Sequence, residues 1–222
     1  MNLSKHYEYF NPTTITDPIH IVGCGAIGST VAEYLVRLGI TNIELYDFDT
    51  VDPHNIANQM FFNSDIGKPK VLALKETLQA INPDVEITVH EKGYTKYNIK
   101  TGHVFLCVDN IELRRRIVEE TSKSPFILSF FDFRMGLSDA QHYARLNTPS
   151  DVEHLLRTME FTHAEAKQTM PVSACGTSLN ILPTVRNIVA YGIANFINYI
   201  KTKKLKANVI LNDSFEPSLL TM

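Results

Sequence analysis

The chain has 222 residues, of which 44% are hydrophobic and 20% are charged, and its formal net charge is −3. These values are typical of a globular protein with a sizeable core, and a slightly acidic chain has no general attraction for nucleic acid or for an anionic membrane surface. The N-terminus lacks the apolar core of a secretory signal and no apolar run reaches the roughly 18 residues of a spanning helix, so we expect a cytoplasmic protein.

The first part of the chain alternates predicted strands with predicted helices. Apolar runs bounded by turn residues predict strands at 19–22, 42–46, 85–90, 103–108 and 125–131, and helical periodicity predicts helices at 29–38, 71–81 and 111–121. Residues 48–65 are rich in Asp, Asn, Pro and His, which indicates a loop or short turns over a ligand face. This alternation predicts a mostly parallel sheet with right-handed crossovers.

The rest of the chain is less regular. We expect a strand at 141–146, a short amphipathic helix and a loop within 148–170, a long apolar helix at 184–200 and a last strand at 208–213. The predicted fold class is therefore α/β, a doubly wound, mostly parallel Rossmann-like sheet with additional antiparallel strands in the C-terminal half.

A glycine-rich turn, GCGAIG, follows the first predicted strand. Gly23 and Gly25 would allow a sharp turn and the close approach of a ligand, while Gly28 would let the next helix pack against the strand. Asp47 ends the second predicted strand, near the position at which a carboxylate meets a ribose hydroxyl. This pattern indicates a nucleotide site, and the alternative is a glycine turn that serves packing only.

Five elements, GCGAIG, LYDFDTVDPHNIANQ, GKPKVLAL, INP and CVDN, follow one another within residues 1–135. Their order and spacing resemble the ThiF/MoeB/HesA family, the bacterial relatives of ubiquitin-activating enzymes. The resemblance implies a homodimeric enzyme that binds ATP and Mg²⁺ and adenylates a carboxylate, typically the C-terminal glycine of a small ubiquitin-like or sulfur-carrier protein. It also implies one domain, with the nucleotide-binding half at 1–135 and the crossover loop and the partner and dimer half at 136–222.

The resemblance further implies roles for individual residues. The nucleotide would be held by Gly23, Gly25, Gly28, Asp47, Asp49, Asn55 and Gln59, with Asp47 on the ribose hydroxyls. Lys70 would steady the phosphates, Asp109 would bind Mg²⁺, and Arg134 would lie beneath the same face. The alternative for Lys70 is a solvated lysine at a helix start, and the alternative for Asp109 is a helix N-cap.

Two departures from the family bear on activity. Asn58 stands where relatives carry a phosphate-contacting arginine, and residues 1–18 contain no arginine. Triphosphate turnover should therefore be weakened unless Arg134, Arg114 or Arg115 substitutes. A nucleotide-binding relative with little or no activity that binds a partner is the main alternative, and an NAD-dependent oxidoreductase is a third, although GKPK and CVDN would have no use there.

The three cysteines are too few and too scattered for a disulfide scaffold. Cys175, in SACGTS before the last long helix, could act as a thioester-forming nucleophile if the helix N-terminus lowers its pKa. The alternative is a small buried residue at a helix entry. Cys24 and Cys107 are interpreted as packing residues.

Overall fold

A computed structural model describes residues 1–169, 179–216 and 218–221. The strands within these ranges are β1 (Ile19–Val22), β2 (Asn42–Tyr46), β3 (Glu86–His90), β4 (Gly102–Leu106), β5 (Ile127–Met135), β6 (Ala140–Leu146), β7 (Asn208–Leu211) and β8 (Leu219–Thr221). The α-helices are α1 (Ala26–Arg37), α2 (Lys70–Ile81), α3 (Ile111–Thr121), α4 (Pro149–Arg157), α5 (His163–Thr169) and α6 (Leu182–Thr202). Short 3-10 helices occur at Pro12–Thr14, Pro53–Ala57 and Asn63–Asp65.

The strands form one sheet in the order β3-β2-β1-β4-β5-β6-β7-β8. Strands β1 to β5 pair in parallel, whereas β6, β7 and β8 are added antiparallel to β5 and to one another. The predicted fold class, a mostly parallel Rossmann-like sheet with antiparallel strands towards the C-terminus, is confirmed.

Helices cover both faces of the sheet. Helices α1, α2 and α6 contribute to one apolar cluster, with α1 packed against both α2 and α6, and helices α3 and α4 contribute to the other. Strands β1 and β4 lie between these layers, and every residue of both strands is buried. This arrangement explains why β1 reads as an unbroken apolar run, apart from His20, instead of an alternating one.

The order of the strands reverses between β1 and β4. From β1 the chain moves outward to β2 and β3, and it then returns to the other side of β1 with β4. Open α/β sheets bind ligands in the crevice at the carboxyl ends of the strands at such a point. The glycine turn that follows β1 lies at this position.

Several predicted boundaries were wrong, and each has a local cause. Strand β5 was predicted to end at residue 131 but continues to Met135, because its polar residues Asp132 and Arg134 are paired inside the protein. Helix α6 begins at Leu182, since a proline at position 183 is tolerated in the first turn of a helix. Helix α1 starts directly after the turn, and β8 was not predicted.

Within the described ranges, none of the helices combines the length and the apolar character needed to cross a membrane.

Candidate functional site

The three glycines of the turn after β1 have different surroundings. A Cβ on Gly23, whose φ is +94°, would lie 2.8 Å from the Cys107 carbonyl carbon, and a Cβ on Gly28 would lie 1.8 Å from the Gly23 carbonyl oxygen. A Cβ on Gly25 would meet no atom of the described residues within 4 Å. The packing role predicted for Gly28 thus extends to Gly23, and Gly25 is the glycine that leaves space for a ligand.

Helix α1 begins at this space. Gly25 is its N-cap residue and has no side chain to cap the first turn, and the Ser29 N–H donates to the Gly25 carbonyl at 3.0 Å. The N–H groups of Ala26 and Ile27 precede that bond, so they have no partner further back in the helix. Together with the helix dipole, such groups favour a phosphate.

Asp47 joins the end of β2 to the glycine turn. Its Oδ2 accepts from the Cys24 N–H at 2.6 Å and its Oδ1 accepts from the Asp49 N–H at 2.9 Å. Partial burial raises the pKa of Asp47, and the two N–H donors oppose that rise. Each carboxylate oxygen keeps further acceptor capacity, so Asp47 can receive hydrogen bonds from hydroxyl groups such as those of a ribose.

Lys70 is the first residue of α2 and is buried, with 7% of its surface exposed. Its ammonium group donates to Asp49 Oδ2 at 2.9 Å, and its backbone N–H donates to the Asp49 carbonyl at 2.9 Å. The alternative of a solvated lysine at a helix start was therefore wrong. Lys70 is a buried cation fixed by Asp49, and its charge opposes the rise in the pKa of both Asp47 and the Cys24 thiol.

Asp109 follows β4 at the same edge of the sheet. The Cys107 N–H donates to the Val22 carbonyl at 2.8 Å, which aligns this segment with the end of β1. The Asp109 side chain is exposed, and Asn110 caps α3 by accepting from the Leu113 N–H at 2.7 Å. The alternative reading of Asp109 as the N-cap was therefore wrong, and its carboxylate is available to a cation.

Few side chains near Asp109 could bind a magnesium ion. In the described part of the chain, no three His, Cys, Asp or Glu side chains converge in a way that could hold a metal. Mg²⁺ is commonly held by one or two carboxylates together with waters and substrate phosphates. Asp109 fits that pattern as a single carboxylate at the same edge of the sheet as the glycine turn.

The segment from Pro53 to Gln59 forms a short 3-10 helix and the turn after it. Asn55 is buried, and its Oδ1 accepts from the Asp52 N–H at 2.9 Å. Gln59 Oε1 is buried and has no hydrogen-bond partner among the residues that the structure describes, and a donor group on a ligand would satisfy it. Asn58 does not supply a cation, and its amide donates to the Asn180 side chain.

Arg134 belongs to a buried ion cluster on β5. Asp132, whose side chain is fully buried, contacts both Arg114 and Arg134. Arg134 also donates to the Thr158 carbonyl at 2.7 Å and lies over the Tyr143 ring, 4.6 Å from its centroid. The contact with Thr158 holds the end of α4 against β5. Arg114 and Arg134 thus already have partners within the protein.

Sequence reasoning missed Arg186 on α6. Its guanidinium contacts Glu33 of α1 and the sulfur of Met60, and the Met60 N–H donates to Ser29 Oγ at 3.1 Å. Arg186 and Ser29 therefore hold the segment that follows Gln59 against α1. No local pattern could reveal this role, because the partners are more than 100 residues apart in the sequence.

The cysteine predictions have separate outcomes. Cys24 and Cys107 are both buried in the apolar cluster that includes α1, α2 and α6, and burial raises the pKa of both thiols, which agrees with packing roles. Cys175 lies outside the described residues.

Two surface clefts lie away from the glycine turn. One is lined by Arg115, Glu119, Phe161 and neighbouring residues, and the other by His103, Tyr199, Lys203 and neighbouring residues. Apart from Arg115, which the sequence offered as a substitute for the missing arginine, neither contains a residue predicted for the nucleotide site. The position of the turn at the carboxyl ends of β1 and β4 therefore makes it the stronger candidate for ligand binding.

Residues 16–125 match the model of the ThiF family. The ubiquitin-like modifier-activating enzyme 5 of Drosophila persimilis is 30% identical over 219 residues, which cover 90% of this chain and 55% of that protein. The enzyme of the same name from Dictyostelium discoideum is 37% identical over 135 residues, covering 53% of this chain and 34% of that protein. The chain thus spans about half, or less, of these curated relatives' lengths.

Solved structures support the same fold. E. coli MccB with AMPCPP and MccA superposes with a TM-score of 0.71 at 16% identity, covering 95% of this chain and 65% of MccB. PaaA superposes with a TM-score of 0.73 at 15% identity, covering 99% of this chain and 68% of PaaA. MccB has also been crystallised with ATP.

Proposed function

The chain belongs to the ThiF family, and we propose that it activates a carboxylate by ATP-dependent adenylation. The observation that carries this proposal is the convergence of the open glycine turn, Asp47 and the buried Lys70 at the carboxyl ends of β1 and β2. A site for NAD would not require a buried lysine at the position of Lys70. The matched relatives of this family are activating enzymes, which supports the same reaction class.

Adenylation joins the carboxylate to the AMP part of ATP and releases pyrophosphate. The protein must therefore bring two anions together and compensate the charge that moves to the leaving group. Lys70 and the free N–H groups at the start of α1 compensate this charge, while Asp47 positions the ribose and Asp109 binds Mg²⁺. No general base is required, because a carboxylate is already ionised near neutral pH.

The proposed substrate is the C-terminal glycine of a small ubiquitin-like or sulfur-carrier protein. The names of the relatives, ubiquitin-like modifier-activating enzymes, and the MccB structure that contains MccA support a protein or peptide substrate. We also propose that the protein works in the cytoplasm as a homodimer, as the family resemblance implies. Cys175 remains a candidate nucleophile for a subsequent thioester, and loss of a trapped thioester in Cys175→Ala would support that role.

A second candidate is a nucleotide-binding protein with little adenylation activity that binds a partner. The specific observation in its favour is Asn58, which stands at the position where relatives carry an arginine and whose amide contacts Asn180. Arg114 and Arg134 both contact Asp132, and Arg115 donates to the Met159 carbonyl, so the three arginines considered as substitutes already have partners, which supports this alternative. On this alternative, ATP binds but pyrophosphate exchange is very slow.

Exchange of labelled pyrophosphate into ATP, with Mg²⁺ and candidate carrier proteins, separates the two candidates. The proposed function predicts exchange that depends on the carrier, and binding of ATP without exchange would favour the second candidate. Within the first, Asp109→Asn should slow exchange roughly 100-fold by weakening charge stabilisation at the metal. The matched control is Glu119→Gln, which removes an exposed carboxylate from the neighbouring helix α3. Equal rates in the two variants would remove Asp109 from the site.

A further inference from the structure

Asp49 holds Lys70 from two sides. Its carboxylate accepts from the ammonium group and its carbonyl accepts from the backbone N–H, both at 2.9 Å. The next residue, Thr50, forms a β-bridge with Pro69, which fastens the two segments side by side. The pair is asymmetric, since the Lys70 side chain is 9% exposed and that of Asp49 is 52% exposed.

The Lys70 side chain is thus largely shielded from solvent, whereas the Asp49 carboxylate that accepts from its ammonium group is about half exposed. Among the residues that the structure describes, Asp49 Oδ2 is its only hydrogen-bond acceptor. A phosphate oxygen that binds Lys70 must share the ammonium with Asp49 or take its place. Because Asp47 also lies within electrostatic range, two carboxylates face one ammonium group.

We propose that Asp49 competes with the nucleotide phosphates for Lys70, so that it positions the lysine and at the same time weakens phosphate binding. This inference rests on the proposed function, because it concerns the same phosphate site. It assigns Asp49 a role different from the direct nucleotide contact that the sequence suggested. The carboxylate keeps Lys70 extended towards the site, and the phosphates of a bound nucleotide displace it.

Competition of this kind favours ligands with several phosphates. A triphosphate carries more charge than AMP and can compensate for the lost Lys70–Asp49 contact, whereas AMP gains little from Lys70. Partly exposed ion pairs contribute up to about 1 kcal/mol, which corresponds to a factor of about five in affinity. Removal of the Asp49 charge should therefore strengthen ATP binding about threefold to fivefold and change AMP binding much less.

The test measures the Kd of Mg-ATP and of AMP by calorimetry for the wild type, Asp49→Asn and Glu76→Gln. Glu76 is a matched control, since it is an exposed carboxylate paired with Lys68, at 2.8 Å, in the same segment. We expect tighter ATP binding for Asp49→Asn only. Weaker ATP binding in Asp49→Asn would overturn the proposal, because Asp49 would then support the nucleotide instead of competing with it.

A double-mutant cycle with Lys70→Met makes the test specific. In the Lys70→Met background, Asp49→Asn should have no effect on ATP affinity, since there is no ammonium to compete for. An equal gain in both backgrounds would show general charge repulsion and would overturn the proposal. ATP binding without pyrophosphate exchange would refute only the proposed adenylation, whereas a wild type that binds no ATP would refute both.

Discussion

Substitution of the glycines in the turn after β1 separates ligand binding from folding. In Gly25→Ala the new methyl group meets no atom within 4 Å in the part of the chain that the structure describes, whereas in Gly28→Ala it lies 1.8 Å from the Gly23 carbonyl oxygen. We expect Gly25→Ala to fold normally and lose nucleotide affinity, and Gly28→Ala to be destabilised. The two variants add the same group three positions apart.

The expected magnitudes follow from the surroundings of each position. For Gly25→Ala, the loss of a favourable N-cap residue lowers the free energy of unfolding by a few tenths to about 1 kcal/mol. Alanine also restricts the unfolded chain more than glycine does, which raises the free energy of unfolding by about 0.4–1 kcal/mol. For Gly28→Ala, a helix propensity gain of about 1 kcal/mol is outweighed by overlap with backbone that cannot rotate away, at about 1–3 kcal/mol or more. Each kcal/mol corresponds to about 2–4 °C in Tm for a chain of this size.

Thermal unfolding with and without Mg-ATP measures both effects. A ligand at 100 times its Kd stabilises a protein by about 2.7 kcal/mol, so the wild-type Tm should rise by about 5–10 °C. Gly25→Ala should show the wild-type Tm without nucleotide and a much smaller rise with it. If Gly25→Ala retains the full rise, the nucleotide does not approach this turn and the proposed site is wrong.

Two further predictions concern the buried polar groups on β5 and β6. Asp132→Asn leaves Arg114 and Arg134 without their shared carboxylate, and urea unfolding should show a loss of about 3–5 kcal/mol; a loss below 1 kcal/mol would contradict the buried ion cluster. Burial lowers the pKa of His142 from 6.5 to about 4, so below pH 6.5 the unfolded state takes up a proton that the native state does not. The free energy of unfolding should therefore decrease as the pH is lowered from 6.5 to 4. In His142→Asn this decrease should be smaller by up to about 3 kcal/mol, whatever the effect of the substitution at pH 7.

Elements with a strong local signal could be predicted from the sequence to the residue. Strands β1 and β2 and helix α3 have the predicted bounds, because each combines a clear apolar pattern with turn or capping residues at its ends. The meeting of the glycine turn with Asp47 also followed from the sequence, since parallel neighbouring strands end at the same edge of a sheet.

Features that depend on distant partners could not be predicted. The polar residues Asp132 and Arg134 interrupt an apolar run, and only the position of Arg114 on α3 explains why the strand continues through them. The same holds for Arg186, whose contact with Met60 joins segments that share no local pattern. A sequence pattern shows which residues favour a strand or a turn, but it does not show which buried charges will find partners.

If ATP binds at the turn as proposed, the charges around it decide what attracts the phosphates. Asp47, Asp49 and Asp109 bring three carboxylates to the carboxyl ends of β2 and β4, and Lys70 is the cation that contacts one of them, while Asn58 adds no charge. A triphosphate alone would be repelled by this balance, so Mg²⁺ and the N–H groups of α1 must supply most of the attraction. A site with arginine contacts could bind ATP without the metal. We therefore expect Mg²⁺ to be required here for ATP binding itself, before any chemical step.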